Sequence, residues 1–305
     1  MPHRLAAATA ARPLATAVVL ATAVVLAAAS LLAGVAPARA ECPSDQAVAA
    51  LAEKIAARQP AESYGPGLSV ADGLCAQEKL VGMLKASLGP VVGYKAGLTN
   101  TAVQQRFGVP HPVRGTLLAG MILKDGATVD PAFGAAPLFE SDLIVTVKDP
   151  GIHGAKGHVE ILRHLESVVP FLELPDLVLA KGAHMDGGVL TAINVGARLG
   201  VTGTPIPVEA SQDFADRLAK MTVVLSDDSG REIARSPGTA ILGHPLDAVA
   251  WLVEDLGRAG ITLKAGDMLS LGSFSPLSPP APGRTVTARY EGLAGLPVEV
   301  KATFK

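Results

Sequence analysis

Leu138–Val147 reads LFESDLIVTV. The run has no Gly or Pro and is rich in β-branched and aromatic side chains, which is a strand signal. Alternate residues of a strand share a face, so Glu140 and Asp142 project together from a largely apolar segment. Two carboxylates side by side repel unless a cation or a proton lies between them, and hard cations such as Mg²⁺ take oxygen ligands of this kind. A solvent-facing strand edge produces the same local pattern.

The same texture extends outward. Short apolar runs bounded by Gly and Pro at Val91–Tyr94, Leu177–Ala180, Met221–Leu225, Met268–Leu271, Thr285–Tyr290 and Val298–Thr303 read as strands. Asp227-Asp228-Ser229-Gly230 suits a hairpin turn between Met221–Leu225 and Arg231–Arg235. Helices are expected over 44–59, with Ser44 as N-cap, and over Ala76–Ser87, Val159–Ser167 and Pro245–Ala259. The last carries Leu246, Val249, Leu252, Val253 and Leu256 as a core stripe. The pattern predicts an α+β protein, with a helical N-terminal region at 41–115 and a strand-rich, catalytic-type domain at 116–305.

Residues 1–40 have the three parts of a signal peptide. Arg4 and Arg12 precede an uncharged run from Leu14 to Ala36, and Ala38-Arg39-Ala40 offers a cleavage site. The apolar run also has the length of a membrane anchor, which is the alternative if it is not cleaved. Cleavage predicts a periplasmic or secreted protein, free of the membrane. The leader holds three of the 26 basic residues and none of the 28 acids, so the remaining 265 residues carry a net charge of −5. No basic patch stands out, which argues against nucleic acid as a partner. Cys42 and Cys75 are an even pair in an oxidising compartment and are expected to bridge, tying down the new N-terminus.

Two more residues stand out. Glu173 is a lone acid in the apolar run Phe171-Leu172-Glu173-Leu174; it is either exposed at a strand end or a third oxygen ligand. Lys95 ends an apolar run between Gly93 and Gly97, where a lysine is a proton donor, an anion clamp or a plain surface charge. The seven histidines show no zinc spacing, and His244 in Gly243-His244-Pro245 reads as turn chemistry before a helix. There is no Gly-x-Ser-x-Gly elbow, Walker loop or dinucleotide fingerprint.

Several segments together resemble one family: GYKAGLT at 93–99, PLFESDLIV at 137–145, PFLELPD at 170–176, LGHPLDAVAWL at 242–252 and LKAGDMLSLGS at 263–273. They run in the order found in 2-keto-4-pentenoate hydratases and 4-oxalocrotonate decarboxylases, within the fumarylacetoacetate hydrolase superfamily. The resemblance implies a mixed β-roll with a helical N-terminal region, a homo-oligomer, and one Mg²⁺ or Mn²⁺ held by Glu140, Asp142 and Glu173. It implies that Lys95 is the active-site lysine and that Asn194, Gly272 and Ser273 bind substrate. It departs from the family at Val113, where an acid stands in the relatives, at Ile193, where a second Asp is lost, and at Arg198, which replaces a small residue. The expected function is that of an exported metal-dependent lyase acting on a small 2-oxo or 2-hydroxydienoic acid. A non-catalytic periplasmic binder of small carboxylates, or a degenerate relative, is the rival.

Overall fold

The computed structural model describes residues 2–3 and 41–305. The expected signal peptide otherwise lies outside the described residues. Among the described residues no helix is long and apolar enough to cross a membrane.

The chain begins with two helices. Ser44 caps α1 (Asp45–Ala57), its hydroxyl accepting from the Ala47 N–H at 3.2 Å, and Val48, Leu51 and Ile55 form its buried stripe. Helix α2 (Val70–Leu88) starts at Val70 rather than Ala76, because Ser69 caps it through the Asp72 N–H at 3.1 Å. The segment before α1 is joined to α2 by the Cys42–Cys75 disulfide.

Two sheets follow. The larger has the order β2-β1-β11-β5-β6-β7-β3, with β8 (Ile206–Pro207) also paired to β6. Its strands are β1 (Val91–Gly97), β2 (Val113–Leu118), β3 (Ile122–Lys124), β5 (Glu140–Val147), β6 (Leu165–Leu174), β7 (Leu199–Thr202) and β11 (Met268–Ser270). The pairs β1–β11 and β3–β7 are parallel, whereas β1–β2, β11–β5, β5–β6 and β6–β7 are antiparallel. The smaller sheet has the order β10-β9-β12-β13-β4, from β4 (Ala127–Val129), β9 (Thr222–Asp227), β10 (Glu232–Pro237), β12 (Thr285–Glu291) and β13 (Val298–Phe304). This is the mixed α+β architecture that the strand pattern implied.

The boundary expected between residues 115 and 116 falls inside β2. Strands β1 and β2 carry the chain from the N-terminal helices directly into the large sheet, and residues 41–305 cluster as one compact unit. At Gly93 the β11 backbone comes so close that a Cβ would lie 2.0 Å from the Met268 carbonyl oxygen, so only glycine fits there.

The main core packs Leu143, Val145, Val168 and Leu172 of the large sheet against Val286, Ala288, Tyr290 and Val300 of the small one. Leu246, Val249, Leu252 and Leu256 of α7 (Pro245–Arg258) join it, as their helical spacing predicted. A second core gathers α1, α2 and the short α5 (Gly187–Ala192) over Val113 and Leu118.

Two local expectations fail. The helix expected over Val159–Ser167 stops early: α4 is His158–Arg163, and Leu165 already begins β6. Pairing along the whole of β5 outweighs local helix preference there. Leu177–Ala180 is not a strand but an irregular segment with one bridge, Ala61 to Leu179. The short helices α3 (Thr101–Arg106) and α6 (Gln212–Lys220) were not anticipated.

Candidate active site

Glu140 lies directly opposite Glu173 in the β5–β6 ladder, and Asp142 lies opposite Phe171. Cross-strand partners share a face, as do residues two apart, so all three carboxylates stand on one side of the sheet. Strand β11 separates β5 from β1 and places Ser270 beside Lys95 in parallel register. The Lys95 ammonium therefore reaches the same face and forms an ion pair with Glu173. It also donates to the Val195 carbonyl at 3.0 Å. Lys95 and Glu173 are each 3% exposed and Asp142 is fully buried, so the alternatives of surface charge and strand edge are excluded for these three.

Asp142 is held rigidly. One oxygen accepts from the Ser270 hydroxyl at 2.7 Å; the other accepts from the Gly272 N–H at 2.9 Å and from the Leu143 N–H. Below it the Tyr290 hydroxyl of β12 sits against the Asp142 carbonyl and accepts from the Phe171 N–H at 3.2 Å. The small sheet thereby braces the strand pair that carries the acids.

The electrostatics are unbalanced. Burial and the facing Glu173 push the Glu140 carboxyl up to about 8, against the opposing pull of Lys95. Burial, with Glu173 beside it, raises Asp142 well above the carboxylate range. Burial pulls Lys95 down, but Glu173 and Glu140 outweigh it and its pKa ends raised. One ammonium cannot neutralise three clustered carboxylates, Asp142 and Glu173 buried and Glu140 half-buried, and a hard divalent cation is the partner such an oxygen set suits. As the side chains stand, no group of three His, Cys, Asp or Glu among the described residues is arranged to hold an ion. Glu173 is drawn instead to Lys95.

The residues expected to bind substrate take different positions. The Gly272 N–H is engaged by Asp142, and Gly272 adopts φ +111° with Thr99 so close that a Cβ would lie 2.0 Å from its Oγ1. The Ser273 hydroxyl donates to the Ser275 carbonyl at 2.7 Å and lies beside Glu140. Asn194 is 1% exposed; its Oδ1 accepts from the Thr116 N–H at 2.7 Å and its Nδ2 donates to the Thr116 carbonyl at 2.9 Å. Val113 and Ile193 are buried apolar residues, and Arg198 is half-buried, donating to the Phe133 carbonyl at 3.0 Å. Because Lys95 pairs with Gly115, Arg114 lies on the opposite face, in an ion pair with Asp255.

Two surface clefts lie elsewhere. One of about 640 Å³ includes His153, His158 and Asp247; another of about 400 Å³ includes Thr146, Val169 and Met268. In the first, His158 is already paired with Asp247, and Glu254 with Arg258. Convergent buried charge is the stronger mark of chemistry, and it lies at the β1–β11–β5–β6 face. Sequence reasoning missed Ser270 and Val195 at that face and Tyr290 beneath it. Ser270 becomes visible only through its register with Lys95, and Val195 acts through its backbone, for which a side chain gives no signal.

Proteins of known function resemble the chain in sequence and in fold. No model of a known protein family matches the chain. The chain is 29% identical over 232 residues to a 4-oxalocrotonate decarboxylase of Pseudomonas sp. (strain CF600), covering 76% of this chain and 85% of that one. It is 30% identical over 240 residues to a 2-hydroxyhexa-2,4-dienoate hydratase of Comamonas testosteroni, covering 77% and 87%. Among solved structures, 4-oxalocrotonate decarboxylase from Pseudomonas putida G7, complexed with magnesium and adipate, matches with a TM-score of 0.74 at 28% identity, over 87% of this chain and all of that one. More distant solved folds of the fumarylacetoacetate hydrolase type share the architecture alone.

Proposed function

The chain belongs to the family of 2-keto-4-pentenoate hydratases and 4-oxalocrotonate decarboxylases, and from that footing we propose an exported, divalent-metal-dependent lyase acting on a small 2-oxo or 2-hydroxydienoic acid. One observation carries the reading: three carboxylates share a single sheet face with one buried ammonium. Glu140, Asp142 and Glu173 would hold Mg²⁺ or Mn²⁺, which when bound supplies Lewis-acid polarisation of a 2-oxo acid. Lys95 moves a proton at the carbon beside the keto group. Asp142, fixed by three donors, keeps one corner of the site from moving while Glu173 answers to both neighbours. Burial excludes water and strengthens each of these interactions.

Export is supported by the leader sequence and by the Cys42–Cys75 disulfide, which an oxidising compartment favours. Assembly into a homo-oligomer follows from family precedent. A second reading, a small-carboxylate binder without turnover, draws on Val113, a 1% exposed apolar side chain where the relatives' motif has an acid.

Calorimetric titration with Mg²⁺ and Mn²⁺, with and without oxalate, tests the proposal beside Glu140→Ala. Oxalate copies the planar chelating face of a 2-oxo acid. Metal binding that oxalate strengthens and Glu140→Ala removes supports the lyase; no binding in either condition sinks it. Tight binding without turnover of any 2-oxo acid would move the choice to the binder.

A further inference from the structure

We propose that Asn194 is a positioning residue: by clamping the backbone of Thr116 it holds a left-handed kink whose Val195 carbonyl aims the Lys95 ammonium. The proposal rests on the reading of Lys95 as the proton-handling group. It differs from the substrate-binding role that the resemblance implies for Asn194.

Asn194, Val195 and Gly196 are consecutive left-handed residues, at φ +57°, +53° and +67°. Glycine and asparagine visit that region readily, whereas a β-branched residue there is a genuine outlier. Such a backbone persists only where its surroundings over-determine it. Here the surroundings can be named. The Asn194 amide takes both backbone groups of Thr116, as a neighbouring strand would, which commits its Oδ1 and one of its two N–H donors to that clamp. The Gly196 carbonyl accepts from the Asp176 N–H at 2.9 Å.

Two glycines on the facing strands leave room for the kink. A Cβ on Gly97 would lie 2.4 Å from the Val195 Cγ1. A Cβ on Gly115 would lie 2.8 Å from the Asn194 carbonyl oxygen and 2.9 Å from the Lys95 Cγ. Strand β1, strand β2 and the kink are therefore fitted to one another around the lysine stem.

The consequence is geometric. An ammonium has three N–H donors on a rotating tetrahedral head. With Glu173 as its sole partner the head would spin about that contact. With Glu173 and the Val195 carbonyl both engaged, the direction of the third N–H is set. A proton is transferred efficiently only from a donor that already points at its target.

The test compares the purified protein with Asn194→Ala, Asn194→Asp, and Asn194→Ala combined with Val195→Gly. One readout is the rate at which Lys95 is reductively methylated by ¹³C-formaldehyde with a borane as hydride donor, followed by peptide mass spectrometry. The other is Mn²⁺-dependent exchange of pyruvate methyl protons into D₂O, followed by NMR to give kcat and KM separately. Asn194→Ala is expected to raise Lys95 labelling about tenfold, with other lysines unchanged, and to lower kcat about 100-fold with KM within about twofold. Val195→Gly added to Asn194→Ala restores part of both, because glycine takes the left-handed backbone without a clamp. Asn194→Asp, which keeps only the acceptor for the Thr116 N–H, falls between; if Asn194→Ala does not fold, this variant decides by the same criteria. Unchanged Lys95 labelling in a folded variant, or a rise in KM alone, overturns the proposal. If the wild-type protein exchanges no proton of any 2-oxo acid, the lyase reading fails instead, and the labelling comparison still decides the clamp.

Discussion

Glu140 and Glu173 face each other across the β5–β6 ladder, with Lys95 paired to the second and not to the first. Cross-strand like charges destabilise a sheet, and burial magnifies the effect. Lys95 answers only one of the two charges, so in the metal-free protein the pair opposes folding once Glu140 ionises, and a bound cation relieves it.

Replacing one member separates these two effects. Glu140→Gln keeps the shape and removes a charge. In EDTA at pH 8 to 9 its thermal midpoint is expected to exceed that of the wild type, by on the order of 1 kcal/mol or more of stability. Added Mn²⁺ should raise the wild-type midpoint and leave the variant nearly unmoved. A variant that is less stable in EDTA and still responds to Mn²⁺ would show that the two acids do not share a cation.

Gly272 tests the rigid mount of Asp142. A Cβ there would press on Thr99 Oγ1 from a backbone at φ +111°, and the Gly272 N–H to Asp142 would move with it. Gly272→Ala is expected to cost about 2–4 kcal/mol in a urea titration. Adding Thr99→Ala removes the two nearest contacts, Oγ1 and Cγ2, but leaves the Thr99 Cβ at 2.9 Å and the backbone strain, so it should recover part of the loss. Full recovery would mean that backbone conformation is irrelevant at this position.

The disulfide encloses a loop with a sequence separation of 33. On the chain-entropy account its removal by Cys42→Ser with Cys75→Ser should lower stability by about 3–4 kcal/mol. Dithiothreitol should destabilise the wild type to a similar extent and leave the double variant unchanged. An equal response of both proteins to the reductant would contradict the bridge.

His244 gives a pH dependence of definite sign. Its Nδ1 accepts from the Leu246 N–H at 3.0 Å at the start of α7, and its Nε2 lies 3.0 Å from the Ala215 carbonyl. Its ring stacks on His158 with centroids 3.9 Å apart. Burial, together with the neighbouring His158, lowers its pKa from 6.5. The fold therefore prefers the neutral ring. That contribution is complete above pH 6.5 and is lost as the pH falls toward the lowered value, because the unfolded chain then binds the proton more readily. His244→Asn retains a capping side chain and does not titrate. The wild-type advantage over this variant should be largest near pH 8 and shrink toward pH 5; a gap that widens on acidification would reverse the assignment.

Much of this was legible in the residues. The period of a strand places Glu140 and Asp142 on one face wherever that strand lies. Ser44 before an apolar helical stripe marks the start of α1, and the stripe of α7 marks its buried side. Asp227-Asp228-Ser229-Gly230 turns because the Asp227 side chain accepts from the Ser229 and Arg231 N–H groups at 3.0 and 3.1 Å. Each of these follows from interactions between residues close in the chain. The helix expected over Val159–Ser167 failed for the converse reason, since the later part of that segment is governed by a partner strand.

The sequence by itself determined helices α1 and α7 and most of the longer strands, the carboxylate pair on β5, and, through ordered motifs, the family. Only the tertiary structure decided that Glu173 faces Glu140, that Ser270 stands between Lys95 and Asp142, and that the Asn194 amide bonds the backbone of Thr116. Those relationships depend on the register of strands brought together from distant parts of the chain. Shifting one strand by a single residue would move its side chains to the other face, and no local preference prevents that shift. The packing of the two sheets around Tyr290 and the glycines at 93, 97, 115 and 272 holds the register in place.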